Sequence, residues 1–228
     1  MEKSFCLITE PWIKAMDMNG SVRTFSLQDA LTSAQDIQIL SGEIANQDFA
    51  VLRFLLSIMQ TVVYRYDENG NKSDITTASE ALRRWDAINK AGHFPGNAIT
   101  DYLAEWNDYF WLIHPEHPFY QITKRLRTRD GKEKNGTSID RGRLIGAISE
   151  SDNKPRFHAS YSTAGKASID DGELTRWILY FQAYDHKATK TKNEKGISEE
   201  EKLHPRVCWC GNLGAVYAEG INLFETLM

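Results

Sequence analysis

Residues 46–66 read NQDFAVLRFLLSIMQTVVYRY, and this stretch constrains the fold more than any other. At helical spacing Phe49, Ala50, Val51, Leu52, Phe54, Leu55, Leu56, Ile58, Met59, Val62 and Val63 cover nearly the whole circumference, so the helix has no broad polar face to offer water. Such a helix must be enclosed by other elements. Its apolar part, 49–63, carries Arg53 and Gln60 and falls short of the roughly 20 residues that cross a bilayer. It is therefore a core helix, and a chain of 228 residues is long enough to build a core around it.

The enclosing elements are legible from local signals. Phe5–Ile13 is β-prone, Asn19-Gly20 is a two-residue turn signal and Val22–Phe25 returns, which predicts an N-terminal hairpin. Ser26 with Asp29 three residues on predicts a short capped helix to Ala34. Thr77 with Glu80 is a capping box opening a third helix with Leu82, Trp85 and Ile88 on one face. Gly92–Gly96 breaks it. A fourth helix carries Ile99, Tyr102, Leu103, Trp106 and Phe110 as an apolar stripe running straight into HPEHPF. Residues 155–163, PRFHASYST, suit a short strand. Ser168 with Asp171 predicts another capped helix, with Leu174, Trp177, Ile178, Phe181 and Tyr184 on one face. Trp85, Trp106 and Trp177 are expected in the core. The fold class is α+β and mainly helical: a small N-terminal β-hairpin packed on a helical core, with long basic loops. The chain stops inside an apolar run, Leu223 to Met228, which suggests the N-terminal part of a longer protein.

Composition narrows the function classes. A net charge of −4 provides no global positive field, so any nucleic-acid contact must be local. Three cysteines, Cys6, Cys208 and Cys210, fit a reducing compartment better than a disulfide framework. The opening MEKSFCLITEPW has no long apolar run of the signal-peptide kind. The expected setting is cytoplasmic, without a membrane partner.

The most pointed stretch is WLIHPEHPFYQ, residues 111–121. Its two histidines are three apart rather than the four that put both imidazoles on one helix face, and Pro115 and Pro118 prevent a regular helix. Zinc would need further ligands, and the Cys208-Trp-Cys210 spacing has one intervening residue instead of two to four. No nucleophile motif accompanies the segment. We read it as a turn whose histidines hydrogen-bond backbone groups while Phe119 and Tyr120 pack inward, with no catalytic residue, metal or cofactor. A metal-dependent hydrolase using His114, Glu116 and His117 stays as an alternative, and so does a purely structural interaction module.

Charge concentrates just downstream. Residues 124–143 hold Lys124, Arg125, Arg127, Arg129, Lys132, Lys134, Arg141 and Arg143 against only Asp130, Glu133 and Asp140. A second stretch, 186–196, holds Lys187, Lys190, Lys192 and Lys195 against Glu194. A local excess of this kind suits phosphate contact, because each basic side chain displaces condensed counterions. Phe157 and Tyr161 lie between polar stretches, where an aromatic can stack on a base.

The landmarks also fall in a recognisable order: LITEPWI, LSGEIANQDFAVLRFLLSIM, YLAEWNDYFWLIHPEHPFYQ, RFHASYS, LTRWILYFQAYD and GNLGAVYAEGINLFETLM. In this order they resemble the N-terminal part of the CasA family, the large subunits of the type I-E CRISPR surveillance complex Cascade. The resemblance spans residues 1–228 and implies less than half of a full family member, without the C-terminal helical bundle. It implies a non-catalytic protein of antiviral defence that takes part in reading the protospacer-adjacent motif (PAM), in binding and opening target DNA and in docking a nuclease-helicase. The implied partners are the other Cascade subunits, crRNA, double-stranded target DNA and that CRISPR nuclease-helicase. A minor-groove reader sees a degenerate pattern, so PAM reading of this kind would be lax.

Residue by residue, the family's Phe-x-Asn segment falls on Phe157, His158 and Ala159, with alanine where the family has a hydrogen-bonding side chain. Its glycine-rich loop falls on DHKATKTKNEKG, which offers lysines and the single Gly196. The family's PAM-sensing lysine and strand-separating glutamine would lie beyond Met228.

Overall fold

The computed structural model describes residues 2–121, 144–145, 169–184, 210 and 214–228. Among them a three-stranded antiparallel sheet has the order β3-β2-β4, from β2 (Ile13–Asp17), β3 (Val22–Phe25) and β4 (Ile37–Leu40). A second, two-stranded pair joins β1 (Ser4–Cys6) to β5 (Trp111–Ile113), with Ser4 opposite Ile113 and Cys6 opposite Trp111. The helices are α1 (Leu27–Thr32), α2 (Ala45–Arg65), α3 (Ala78–Ala91), α4 (Gly96–Glu105), α5 (Asp171–Tyr184) and α6 (Leu223–Leu227). The fold is α+β and mainly helical, as the sequence suggests. None of these helices is long and apolar enough to cross a membrane.

The hairpin forms about the expected turn but from a later first strand. Ile13 pairs with Phe25 and Met16 with Val22. Asp17 organises the turn: its carboxylate accepts the N–H groups of Asn19 at 2.9 Å and Ser21 at 3.0 Å and pairs with Arg23. Gly20 supplies the φ of +81° that the turn needs. Phe5–Ile13 is not one strand. Only Ser4–Cys6 is extended with a partner, and the chain then folds on itself, the N–H groups of Thr9 and Glu10 both reaching the Cys6 carbonyl. Trp12 is fully buried and donates its indole N–H to the Leu7 carbonyl at 2.9 Å, which fixes that fold-back.

Helix α2 is the centre. Ala50, Val51, Leu52, Phe54, Leu55, Ile58, Met59 and Val62 are buried, and the line Arg53, Ser57, Gln60 and Tyr64 reaches solvent. Helices α4, α5 and α6 pack against it. Fully burying one such side chain contributes about 1.5–3 kcal/mol, so this helix alone anchors a large share of the core.

Side chains tie the approach to α2 and cap its end. At its start Gln47 accepts the Glu43 N–H at 3.1 Å and Asp48 the Gly42 N–H at 2.7 Å. At its end the guanidinium of Arg84, buried on α3, donates to the carbonyls of Val63 at 2.9 Å and Tyr64 at 3.0 Å. Those carbonyls lack helical partners, and a cation there also meets the negative end of the helix dipole.

That contact corrects the expected face of α3. The capping box of Thr77 and Glu80 forms and Gly92 ends the helix at φ +72°, but Arg84 and Ile88 face the core. Leu82 is 70% exposed and Trp85 46% exposed, with the Trp85 indole donating to the Met228 carbonyl. The need of α2 for donors outweighs the apolar count on α3. Trp106 packs partly buried against the core and Trp177 is fully buried, as expected.

Helix α4 also ends earlier than its stripe. It stops at Glu105, a 3-10 turn spans Asn107–Tyr109, and β5 intervenes before HPEHPF. Phe110 reaches the core from that turn. At the other end of the chain α6 is capped by Asn222, whose side chain accepts the Glu225 N–H at 2.9 Å. Val216 before it is fully exposed, so the apolar character of residues 214–222 does not translate into burial.

A buried ion pair ties distant parts together. Arg176 on α5 donates to both carboxylate oxygens of Glu43, at 2.9 and 2.6 Å, and to the Trp12 carbonyl at 2.6 Å. Removing one partner of such a pair strands the other, which typically costs about 3–5 kcal/mol. We expect Arg176→Met to lower the unfolding free energy by about that amount in urea titrations, and the double variant with Glu43→Gln to cost less than the sum of the singles. Beside this pair, burial pushes the Asp48 carboxyl up from 3.8 to about 6, with the Gly42 N–H opposing and Glu43 adding to the rise. A raised carboxylate favours the protonated folded state. Its stabilising effect is complete below about 3.8 and is lost as pH rises through about 6. Asp48→Asn, which keeps an acceptor for Gly42, is therefore expected to gain on the parent between pH 4 and 6. The gain should level off above that at about 1 kcal/mol after solvent screening, as read from pH-dependent thermal unfolding.

Candidate nucleic-acid interface

The predicted contact residues Lys124, Arg125, Arg127, Arg129, Lys132, Lys134, Arg141, Arg143, Phe157, His158, Ala159, Lys187, Lys190 and Lys192 lie outside the described residues, as does the strand expected at 155–163. What the structure describes is the frame from which these segments depart and to which they return.

The first departure follows β5. The two prolines leave only the Glu116 and His117 amides in residues 115–118, and both donate to Nδ1 of the buried His114, at 3.0 and 2.8 Å. The imidazole thus closes the turn, as the sequence reading expects. A nitrogen already accepting two N–H groups has no lone pair left for a metal. His117 stacks on His114 with centroids 5.6 Å apart and on Tyr109 at 4.9 Å. Among the described residues no three or more His, Cys, Asp or Glu side chains are grouped to hold a metal ion.

Phe119 packs inward, edge-on to Phe54 at 5.3 Å. Tyr120 does not: its φ of +50° turns it outward and leaves it 51% exposed, touching Phe54 and Phe119 with one edge. Gln121 then ties the strand end, its amide donating to the Leu112 carbonyl at 2.7 Å. Lys124 lies three residues further on. The chain is fixed again at Leu144 and Ile145, where Ile145 is buried with Leu112, Ile169, Leu174, Trp177 and Ile178. The residues that flank the segment of eight basic residues are thus both tied to Leu112, Gln121 through the Leu112 carbonyl and Ile145 through the small apolar cluster.

The second departure is the end of α5. The helix is opened by Asp170, which accepts the Glu173 N–H at 2.7 Å, so the cap sits two residues after the expected Ser168. Burial extends beyond the expected stripe to Thr175, Arg176, Leu179 and Ala183, because α5 touches both α2 and the smaller cluster, while Phe181 and Tyr184 are only partly buried. After Tyr184 the chain leaves, and it returns at Cys210, whose N–H donates to the Ala183 carbonyl at 2.9 Å. Burial first, then Cys210 beside it, pushes the Tyr184 phenol up to about 12. Residues 185–209 thus begin and end at one point.

The two departures are neighbours. Gln182 near the end of α5 donates to the Tyr120 carbonyl at 3.3 Å. The sequence contains the basic stretches but not this adjacency: Gln182, Gln121 and Cys210 carry no pattern that a single sequence would single out. Nearby charge is mixed. Lys3 pairs with Asp108 at 2.6 Å, and that contact above all holds the Asp108 carboxyl below its usual range.

Comparison with known proteins completes the picture. The family described as CRISPR-associated protein Cse1 matches residues 7–228. A CRISPR-associated protein CasA/Cse1 from Thermus thermophilus is 26% identical over 183 residues, 80% of this chain and 32% of that protein. The crystal structure of Thermobifida fusca Cse1 superposes with a TM-score of 0.72 at 25% identity, covering 99% of this chain and 38% of that one. A chain of a CRISPR RNA-guided surveillance complex in a pre-nicking state shares the fold, with a TM-score of 0.63 at 18% identity, over 80% of this chain and 34% of that one. The chain spans about a third of the length of these relatives. With its match running through all but the first six residues, the chain belongs to the CRISPR-associated Cse1 family.

Proposed function

We propose that this chain is the N-terminal part of a non-catalytic large subunit of Cascade, contributing to PAM recognition, to target DNA binding and to recruitment of the nuclease-helicase. Family membership supports the subunit role. The observation that carries the DNA-binding part is the hydrogen bond from Gln182 to the Tyr120 carbonyl, which sets the departure points of the two basic segments side by side. The eleven basic candidates of these two segments would then serve one face of the molecule, so that phosphate contacts from both act on the same duplex. A chain with net charge −4 can bind DNA only through such concentration.

In this reading Lys187, Lys190 and Lys192 and the 124–143 cations provide position and affinity, and Phe157 stacks near the PAM or the 5′ end of the guide. The partners are crRNA, the other Cascade subunits and double-stranded target DNA, in the cytoplasm. The test is made in the assembled complex. Changing Lys187, Lys190 and Lys192 together to Ala should weaken target binding and flatten the plot of log affinity against log salt by about 2–3 units, roughly 0.9 per lost phosphate contact. An unchanged slope would remove that segment from the interface.

A further inference from the structure

The stretch HPEHPF has a property that the proposed function does not use. An imidazole nitrogen accepts a hydrogen bond only when it carries no proton. His114 Nδ1 accepts two, from Glu116 and His117, so its proton sits on Nε2. Nε2 is buried and finds no hydrogen-bond partner among the described residues. A second proton can go only to Nδ1, where it would face the two backbone N–H groups it has been receiving. The ring would then bury two donors without an acceptor among the described residues, and a buried group in that state is costly. We propose that His114 is a pH-sensitive lock: its neutral imidazole holds the 114–117 turn closed, and protonation releases the turn that leads towards residues 124–143.

The surrounding charges leave this role with His114 and not with His117. From the 3-10 turn Asp108 faces both histidines, but Lys3 from the N-terminal strand already occupies it at 2.6 Å. Glu116 places a carboxylate 3.9 Å from His117 Nε2, and the His117 side chain is 45% exposed. His117 can therefore take a proton into water or towards Glu116 without losing a backbone bond. His114 is 7% exposed and cannot. Release would also unstack the column His114, His117 and Tyr109. It would loosen the path to Phe119, whose N–H is held by the Trp111 carbonyl at 2.9 Å. The inference rests on the turn itself and stands whether or not the downstream segment meets DNA.

The experiment is NMR on the protein as it is. Nitrogen-15 spectra of the His114 ring at pH 7.5 should show the Nε2–H tautomer. Amide exchange at Glu116 and His117, corrected for intrinsic rates, should quicken by about tenfold or more between pH 7.5 and 5, the range in which histidine changes charge. His114→Asn places an oxygen acceptor where Nδ1 was and does not titrate, so its turn should stay protected at both pH values. His117→Asn should keep the pH response. An Nδ1–H tautomer at neutral pH overturns the proposal, as does a pH response that survives His114→Asn or disappears in His117→Asn. Should His114→Asn fail to fold, the tautomer and exchange of the parent, with His117→Asn, decide the matter.

Discussion

A helix without a polar face must be surrounded, and the burial of α2 on all sides but one line is the constraint on which the rest of this structure depends. Burial strips water from its ends as well as its sides. The protein answers with Arg84 on the last carbonyls, while Gln47 and Asp48 bind the amides of the chain leading into the helix. It answers again with Arg176, which bonds the Trp12 carbonyl and Glu43 and so binds α5 to the N-terminal region and to the approach to α2. Among the described residues the buried cations Arg84 and Arg176 are both directed at backbone carbonyls, and Arg176 at a carboxylate as well, because a charge removed from water needs hydrogen-bond acceptors. These polar contacts set which elements meet; the apolar area supplies most of the driving force.

The same packing arranges the flanks of the two basic segments. Helix α5 reaches α2 along one side and the Leu112–Ile145–Trp177 cluster along the other, and its final turn lies against the turn at Tyr120. Two basic segments far apart in sequence thereby leave from one place.

Much of this is legible in the sequence. The enclosed helix, the Asn19-Gly20 turn, the Thr77 capping box and the backbone role of His114 follow from local chemistry. The errors have local causes too. Phe5–Ile13 looks like one strand because its composition is β-prone, yet the Cys6 carbonyl collects two amides and folds the chain back. Leu82 and Trp85 look like a core face because they are apolar and share a face with Ile88, while Arg84 carries the contact that α2 needs. Ser168 looks like a cap, but Asp170 stands nearer and accepts through a carboxylate. The pairing of Gln182 with Tyr120 is long-range, made by a side chain to a backbone carbonyl, and no spacing encodes it.

The central claim is that one end of this molecule gathers both basic segments onto the same nucleic acid. Photo-crosslinking of target DNA carrying a single reactive nucleotide beside the PAM, in the assembled complex, followed by peptide mapping, tests it most directly. The account predicts adducts from that one nucleotide, or its immediate neighbours, in both 124–143 and 187–195. Adducts confined to one segment, or to neither, would contradict it.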